Sequence, residues 1–114
     1  MKLVEIAFFS DDVEQMVAYY QRLLGVAPVA HSEGMAIFMV GNTKIFIHKK
    51  YHPEVGKLPP ENHIALAVED VDAACDILIQ HGLTLEVPPQ DFYWGRSAYL
   101  RDPDGHLVEI THEA

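Results

Sequence analysis

Four side chains that can bind a metal ion are the first feature to explain: Glu5, His48, His63 and Glu109. Two imidazoles and two carboxylates form a donor set that suits a divalent ion such as Zn²⁺, Ni²⁺, Mn²⁺ or Fe²⁺. No two of them form a short local motif of the H-E-x-x-H kind. The chemistry therefore depends on whether the fold places these residues on one surface.

An internal repeat with an offset of 58 residues relates two of the four. The segment 5–13, EIAFFSDDV, is matched by 63–71, HIALAVEDV, with the same residue at four positions. The repeat makes Glu5 and His63 equivalent. A carboxylate and an imidazole at equivalent positions are stronger evidence for a site than either residue alone.

Each copy of the repeat continues into an amphipathic helix and then into strands. The first helix is predicted between Asp12, a natural N-cap, and Gly25, a natural stop, and the second between Asp70 and Gly82. Strand-like stretches follow both helices, which predicts an α+β protein with two βαβββ modules.

The modules are predicted to cover about residues 1–51 and 62–114, joined by a proline-rich linker at 52–61. A sheet this small cannot bury its apolar face alone, and a chain of 114 residues fits one domain. We therefore expect the two modules to combine in a single domain.

Side chains alternate across a strand, and this alternation decides which candidates share a face. Glu5 and His63 are expected on the concave face, opposite the apolar residues that pack against the helices. In the last strand of the first module, the counterpart of Glu109 is Phe46 in one register and His48 in a register two residues longer. Parity puts both on the same face, so the sequence leaves the two registers open.

A second group of residues is predicted to line a ligand cavity. Tyr93, Trp94 and Arg96 lie in the predicted loop QDFYWGR, where the rings would cover an apolar part of a ligand and the guanidinium would hold an anion. A packed loop with a surface arginine is an equally good interpretation. Phe9 and Phe46, on the predicted concave face, would line the same cavity or belong to the core.

Composition argues against several classes of partner. The net charge of −9 disfavours nucleic acid and anionic membrane surfaces. No apolar run is long enough to span a bilayer, and the N-terminus does not resemble a signal peptide. The single cysteine, Cys75, excludes an internal disulfide and predicts a cytoplasmic protein. Its place in a helical pattern predicts a buried structural thiol.

Three stretches resemble the glyoxalase / bleomycin-resistance / dioxygenase superfamily, also called the vicinal oxygen chelate proteins: HIALAVEDVDAACDILIQHGL, AYLRDPDGHLVEI and MVAYYQRLLG. The resemblance covers essentially the whole chain. It implies that the modules pair into a curved, partly closed mixed sheet with helices on the outside, around a metal and a substrate. For a chain of this length it also implies a homodimer.

The resemblance implies a ligand set as well. His63 and Glu109 match the first-strand and last-strand ligands of the second module, and Glu5 and His48 take the corresponding places in the first. Glutamate at position 5 departs from the commoner histidine or glutamine. If Phe46 rather than His48 holds the last place, three protein ligands remain, as in the fosfomycin-resistance branch.

Three functions are compatible with these features. The leading hypothesis is a metal-dependent, glyoxalase-like lyase or isomerase that chelates two adjacent oxygens of a small substrate, with Glu109 or Glu5 as the base. The second is a metal-free drug-binding protein like the bleomycin-resistance branch. The third is a ring-cleaving dioxygenase, for which the chain is short.

Overall fold

The computed structural model describes residues 1–53, 58 and 60–113, and these contain eight strands and two helices. The first five elements are β1 (Lys2–Ser10), α1 (Val13–Leu24), β2 (Ala30–Ser32), β3 (Met35–Val40) and β4 (Thr43–Lys49). The next five are β5 (His63–Val68), α2 (Val71–Gln80), β6 (Leu85–Phe92), β7 (Gly95–Arg101) and β8 (Leu107–His112). The prediction of an α+β fold with two βαβββ repeats is confirmed.

The chain divides into two compact units. The first unit is Glu5–Asn62, and the second unit combines Met1–Val4 with His63–Ala114. Strand β1 therefore contributes residues to both. The predicted linker includes residues 54–57 and 59, which lie outside the described part of the chain. The prediction that both modules form one domain stays a prediction.

In the first unit, the strand order is β2-β3-β4-β1, with β1 parallel to β4 and the other neighbours antiparallel. Its core forms where α1 packs on the apolar side chains of β3 and β4. The buried members are Val13, Val17, Ala36, Phe38 and Ile47. The strict alternation of these strand residues leaves the intervening side chains, Phe46 among them, on the other face.

In the second unit, the order is β5-β8-β7-β6, with β5 parallel to β8. Helix α2 packs on β7 and β8, and the buried members of this core are Val71, Cys75, Ala98, Leu100 and Ile110. Cys75 is 1% exposed, which confirms the predicted buried thiol. Burial raises the pKa of that thiol, so it stays protonated and is a poor nucleophile.

The helix boundaries follow the predicted caps. The Asp12 carboxylate accepts a hydrogen bond from the backbone N–H of Gln15, and the Asp70 carboxylate accepts one from Ala73. Gly25 ends α1 in the left-handed conformation, with φ of 72°. Within the described residues, neither helix has the length and hydropathy needed to cross a membrane.

The prediction that QDFYWGR forms a loop is wrong, because most of this segment is strand. Strand β6 continues to Phe92 and β7 begins at Gly95, so only Tyr93 and Trp94 connect them. The segment EVPPQ carries two prolines, which rarely occur inside a strand. β6 tolerates them because it is the last strand in the order and its pairing with β7 shifts register twice between Leu85 and Gln90.

The turn before β8 provides a stability test. Gly105 has φ of 88°, and a Cβ added there would meet no atom within 4 Å. Gly105→Ala should therefore lose about 1–2 kcal/mol of unfolding free energy from backbone strain alone. Gly34→Ala is the matched control, because Gly34 lacks a left-handed φ and its Cβ would touch only Lys49 at 4.0 Å. Chemical denaturation should show the control neutral or up to about 1 kcal/mol more stable. An equal change in unfolding free energy at the two positions would contradict the left-handed conformation of Gly105.

Candidate metal centre

The turn formed by Asp102–Gly105 sets the register of β8. Asp102 Oδ1 accepts hydrogen bonds from the backbone N–H groups of Asp104, at 3.0 Å, and His106, at 2.8 Å. Its Oδ2 lies 2.8 Å from Nδ1 of His106. The backbone N–H of His106 is the main reason that the pKa of Asp102 lies below its usual value. The carboxylate thus stays ionised and fixes the chain just before β8.

The strand register identifies the counterpart of Glu109. In the second unit Glu109 pairs with Ala65 across the parallel β5–β8 ladder. In the first unit the repeat equivalent of Ala65 is Ala7, and Ala7 pairs with Phe46 across β1–β4. His48 pairs with Phe9, one alternation further on. The sequence left two registers open for this strand. The structure has the one in which Phe46, not His48, is equivalent to Glu109.

His63 and Glu109 form a pair inside the second unit. His63 Nε2 lies 3.3 Å from Glu109 Oε1, and the two side chains are 13% and 7% exposed. This separation is longer than the roughly 2.7–2.9 Å of a strong charge-assisted hydrogen bond. It is close to the ~3 Å expected between two donors at right angles on one ion with bonds of ~2.1 Å. An imidazole nitrogen and a carboxylate oxygen, buried and so spaced, fit a divalent transition metal.

The other oxygen of Glu109 is held by a polar cluster. Oε2 lies 2.8 Å from Ser97 Oγ and 3.2 Å from the indole Nε1 of Trp94. That same nitrogen lies 3.2 Å from Ser97 Oγ, which is in turn 3.0 Å from Thr111 Oγ1. Ser97 is fully buried. The carboxylate therefore has His63 on one oxygen and two hydrogen-bond donors on the other.

Two opposing effects set the pKa of Glu109. Burial raises it, but hydrogen bonds from His63 and Ser97 and the attraction of the imidazole outweigh burial and lower it. The carboxylate is consequently ionised at neutral pH. An ionised carboxylate is the form that binds a metal ion.

In the first unit, His48 lies among aromatic rings, two of which belong to the predicted site residues Phe9 and Phe46. Its ring contacts those of Phe9, Phe46 and Tyr51, each with centroids 5.7 Å away. Its Nδ1 lies 2.6 Å from the backbone oxygen of Lys49. Because a carbonyl oxygen only accepts, Nδ1 carries the proton and Nε2 the lone pair when the ring is neutral. That His48 binds a metal, and that the two phenylalanines contact a substrate, stay predictions.

Glu5 is half-buried on β1, where it pairs with Lys44 of β4. It belongs to the first unit, whereas His63 and Glu109 belong to the second. Its roles as metal ligand and as base stay predictions.

The aromatic residues of the β6–β7 turn have different environments. Tyr93 is 97% exposed. Trp94 stacks on Phe92, with ring centroids 4.5 Å apart and planes 5° from parallel. The indole of Trp94 is therefore held by stacking on one side and directs its N–H inward, to Glu109. Contact of either residue with a substrate stays a prediction.

Arg96, predicted to hold an anion, is paired with two carboxylates. Its Nε and Nη2 lie 2.7 Å and 2.8 Å from the two oxygens of Asp72, and Nη1 lies 3.0 Å from Asp91. These hydrogen bonds, those of Asp72 above all, raise the pKa of the guanidinium and lower that of Asp72. Contact of Arg96 with an anionic group of a substrate stays a prediction.

Sequence reasoning missed Ser97 and Thr111. Ser97 pairs with Thr111 across β7–β8, two residues along the ladder from the Tyr99–Glu109 pair. A lone serine in the run SAYL is a weak signal. It becomes informative only when the register shows that it lies beside a buried carboxylate.

The lowered pKa of Glu109 predicts a pH-dependent contribution to stability. In the metal-free protein, Glu109→Gln should lower the unfolding free energy near pH 7 by about 1.5–3 kcal/mol, the range for hydrogen bonds to a charged group. Because the folded pKa lies below the unfolded one, this contribution is complete above about pH 4.3. It disappears as the pH falls through the folded pKa.

Denaturation of both proteins between pH 7 and pH 3 measures this difference. Glu33→Gln, at an exposed turn glutamate, is the matched control and should show no such trend. If the stability lost in Glu109→Gln stays constant or grows on acidification, the pKa of Glu109 is not lowered in the folded protein.

Comparison with known proteins identifies the family of the chain. Residues 2–110 match the sequence profile of the Glyoxalase/Bleomycin resistance protein/Dioxygenase superfamily. The chain is 31% identical to the uncharacterized protein YraH of Bacillus subtilis (strain 168), over 96% of this chain and 97% of that one. It is 26% identical to the metallothiol transferase FosB of Shouchella clausii (strain KSM-K16), over 92% of this chain and 75% of that one. It is also 26% identical to a lactoylglutathione lyase of Escherichia coli O157:H7, over 99% and 93%. The chain belongs to the Glyoxalase/Bleomycin resistance protein/Dioxygenase superfamily.

Proposed function

We propose that the protein is an enzyme that binds one divalent metal ion through His63, Glu109 and Glu5 and acts on a small substrate with two adjacent oxygen atoms. The observation that carries the proposal is the buried carboxylate of Glu109, 3.3 Å from the imidazole of His63. Glu5 is included in the proposal because it is the repeat equivalent of His63. Three protein ligands leave up to three positions of a six-coordinate ion for the substrate.

The reaction that we propose is glyoxalase-like, of the lyase or isomerase type. The bound ion would act as a Lewis acid for the substrate oxygens. His63 and Glu109 hold the ion, and a carboxylate removes a proton from the carbon beside a carbonyl. The similarity to a lactoylglutathione lyase over nearly the whole chain supports this class.

Glu5 is the better candidate for the base. Glu109 accepts hydrogen bonds from Ser97 and Trp94, and it would lose them if it swung toward a substrate. A carboxylate that acts as the base must leave the ion to take the proton, and for Glu109 this movement would break both hydrogen bonds. We therefore assign the proton transfer to Glu5 and the holding role to Glu109.

Metal-dependent thiol transfer is the second candidate. The counterpart of Glu109 in the strand register is Phe46, which cannot bind a metal, and this supports a three-ligand set like that of the fosfomycin-resistance branch. The similarity to the metallothiol transferase FosB supports the same class. A metal-free drug-binding protein would not need an ionised carboxylate buried beside an imidazole, and a ring-cleaving dioxygenase has no observation in its favour. The proposal keeps the homodimer and the cytoplasmic location that the sequence predicts.

Metal content tests the function directly. We expect the protein, purified without an affinity tag, to contain a divalent ion or to bind added Zn²⁺, Ni²⁺, Mn²⁺ or Fe²⁺. His63→Ala and Glu109→Ala should weaken binding by more than the 10–100-fold that loss of an outer-shell partner costs. His81→Ala, at an exposed histidine after α2, is the matched control. A protein that binds none of the four ions would rule the function out.

Substrate assays separate the two candidate reactions. The metal-loaded protein should isomerise a thiol–oxoaldehyde adduct if it is glyoxalase-like. It should consume free thiol in the presence of fosfomycin if it is a thiol transferase.

The size of the ligand set has its own test. Glu5→Gln should weaken metal binding and abolish turnover, because it removes a charged ligand and the proposed base. His48→Gln should leave metal affinity within about twofold, because Phe46 rather than His48 is the counterpart of Glu109. Calorimetric titration with Zn²⁺ measures the metal affinity of both variants. A loss at His48→Gln as large as that at His63→Ala would instead support a four-ligand set.

A further inference from the structure

We infer that Ser97 and Trp94 are positioning residues that fix one oxygen of Glu109, so that Glu109 offers a metal ion only its other oxygen. This inference rests on the proposed metal-binding function and adds to it the way in which Glu109 binds. It also gives Trp94 a role different from the substrate contact that the sequence predicts. The three residues belong to the second unit, on β7, β8 and the turn before β7.

The directions of the hydrogen bonds follow from the chemistry of the groups. An indole N–H only donates and an ionised carboxylate only accepts, so Trp94 donates to Oε2 of Glu109 and to Ser97 Oγ. Ser97 has one proton, and Thr111 can supply its own proton to the same oxygen. The Ser97 proton is therefore directed to Oε2, at 2.8 Å.

The two oxygens of Glu109 consequently differ. Oε2 receives two donors, whereas Oε1 faces His63 Nε2 at 3.3 Å. A carboxylate that binds an ion through both oxygens would have to turn Oε2 away from Ser97 and Trp94. Ser97 is fully buried, so its hydroxyl has no solvent to replace a lost partner. The structure thus favours binding through Oε1 alone.

The indole is held firmly enough to act in this way. Trp94 stacks on Phe92 with nearly parallel planes. On the other side of the turn, Arg96 is joined to Asp72 of α2 by two hydrogen bonds and to Asp91 of β6 by a third. These contacts tie both ends of the short β6–β7 turn to ordered elements. The Trp94 N–H is therefore preorganised for Glu109.

The test compares the full-length protein with Ser97→Ala and Trp94→Phe, using Zn²⁺ as the probe. Zn²⁺ affinity is measured by calorimetry, and we expect a loss of about 10–100-fold in each variant, as for other outer-shell partners of metal ligands. Ser32→Ala removes a hydroxyl from an exposed position on β2 and should bind as the unmodified protein does.

An infrared difference spectrum recorded on addition of Zn²⁺ distinguishes this positioning role from a purely structural one. The splitting between the two carboxylate stretches distinguishes binding through one oxygen from binding through two. We expect the one-oxygen pattern in the unmodified protein and the two-oxygen pattern in both variants. Glu109→Gln identifies which band belongs to Glu109.

The possible results separate this inference from the proposed function. If the unmodified protein does not bind Zn²⁺ or the other three ions, the proposed function fails and the inference with it. If it binds but the variants keep its affinity or its one-oxygen pattern, the inference alone is overturned. Trp94 is half exposed, so Trp94→Phe decides the matter if thermal melting shows that Ser97→Ala does not fold.

Discussion

Burial of the ionised Glu109 carboxylate is the constraint on which the second unit depends. A buried charge is costly unless it is paired and hydrogen-bonded. Glu109 is 6% exposed, and its partners come from different strands: His63 from β5 and Ser97 from β7, with Trp94 from the adjoining turn. The pairing of β8 with both β5 and β7 is therefore needed to keep this charge in the protein. Among the described residues, no buried side-chain nitrogen or oxygen lacks a partner.

The two units use one framework for different purposes. At the position where the second unit has Glu109, the first has Phe46, and where the second has Thr111 the first has His48. The first unit fills its face with contacts between aromatic rings, whereas the second places a hydrogen-bonded cluster there. A repeat in sequence thus preserves the strand order and the register without preserving the chemistry.

Much of the fold could be predicted from the sequence because the relevant signals are local. Caps at Asp12 and Asp70 and the alternation in the strands depend on neighbours in the chain. The choice between Phe46 and His48 could not be made, because both have the same parity and only the ladder with β1 distinguishes them. Ser97 was missed for a related reason, since its partner is 12 residues away in the next strand.

The position of Trp94 has a practical consequence. It is the single tryptophan of the chain, and its indole N–H reaches the carboxylate at the centre of the candidate site. Indole fluorescence responds to the charge and the hydrogen bonds around the ring. The protein thus carries an intrinsic optical reporter on Glu109, and ligand screening can follow events at this carboxylate without any added label.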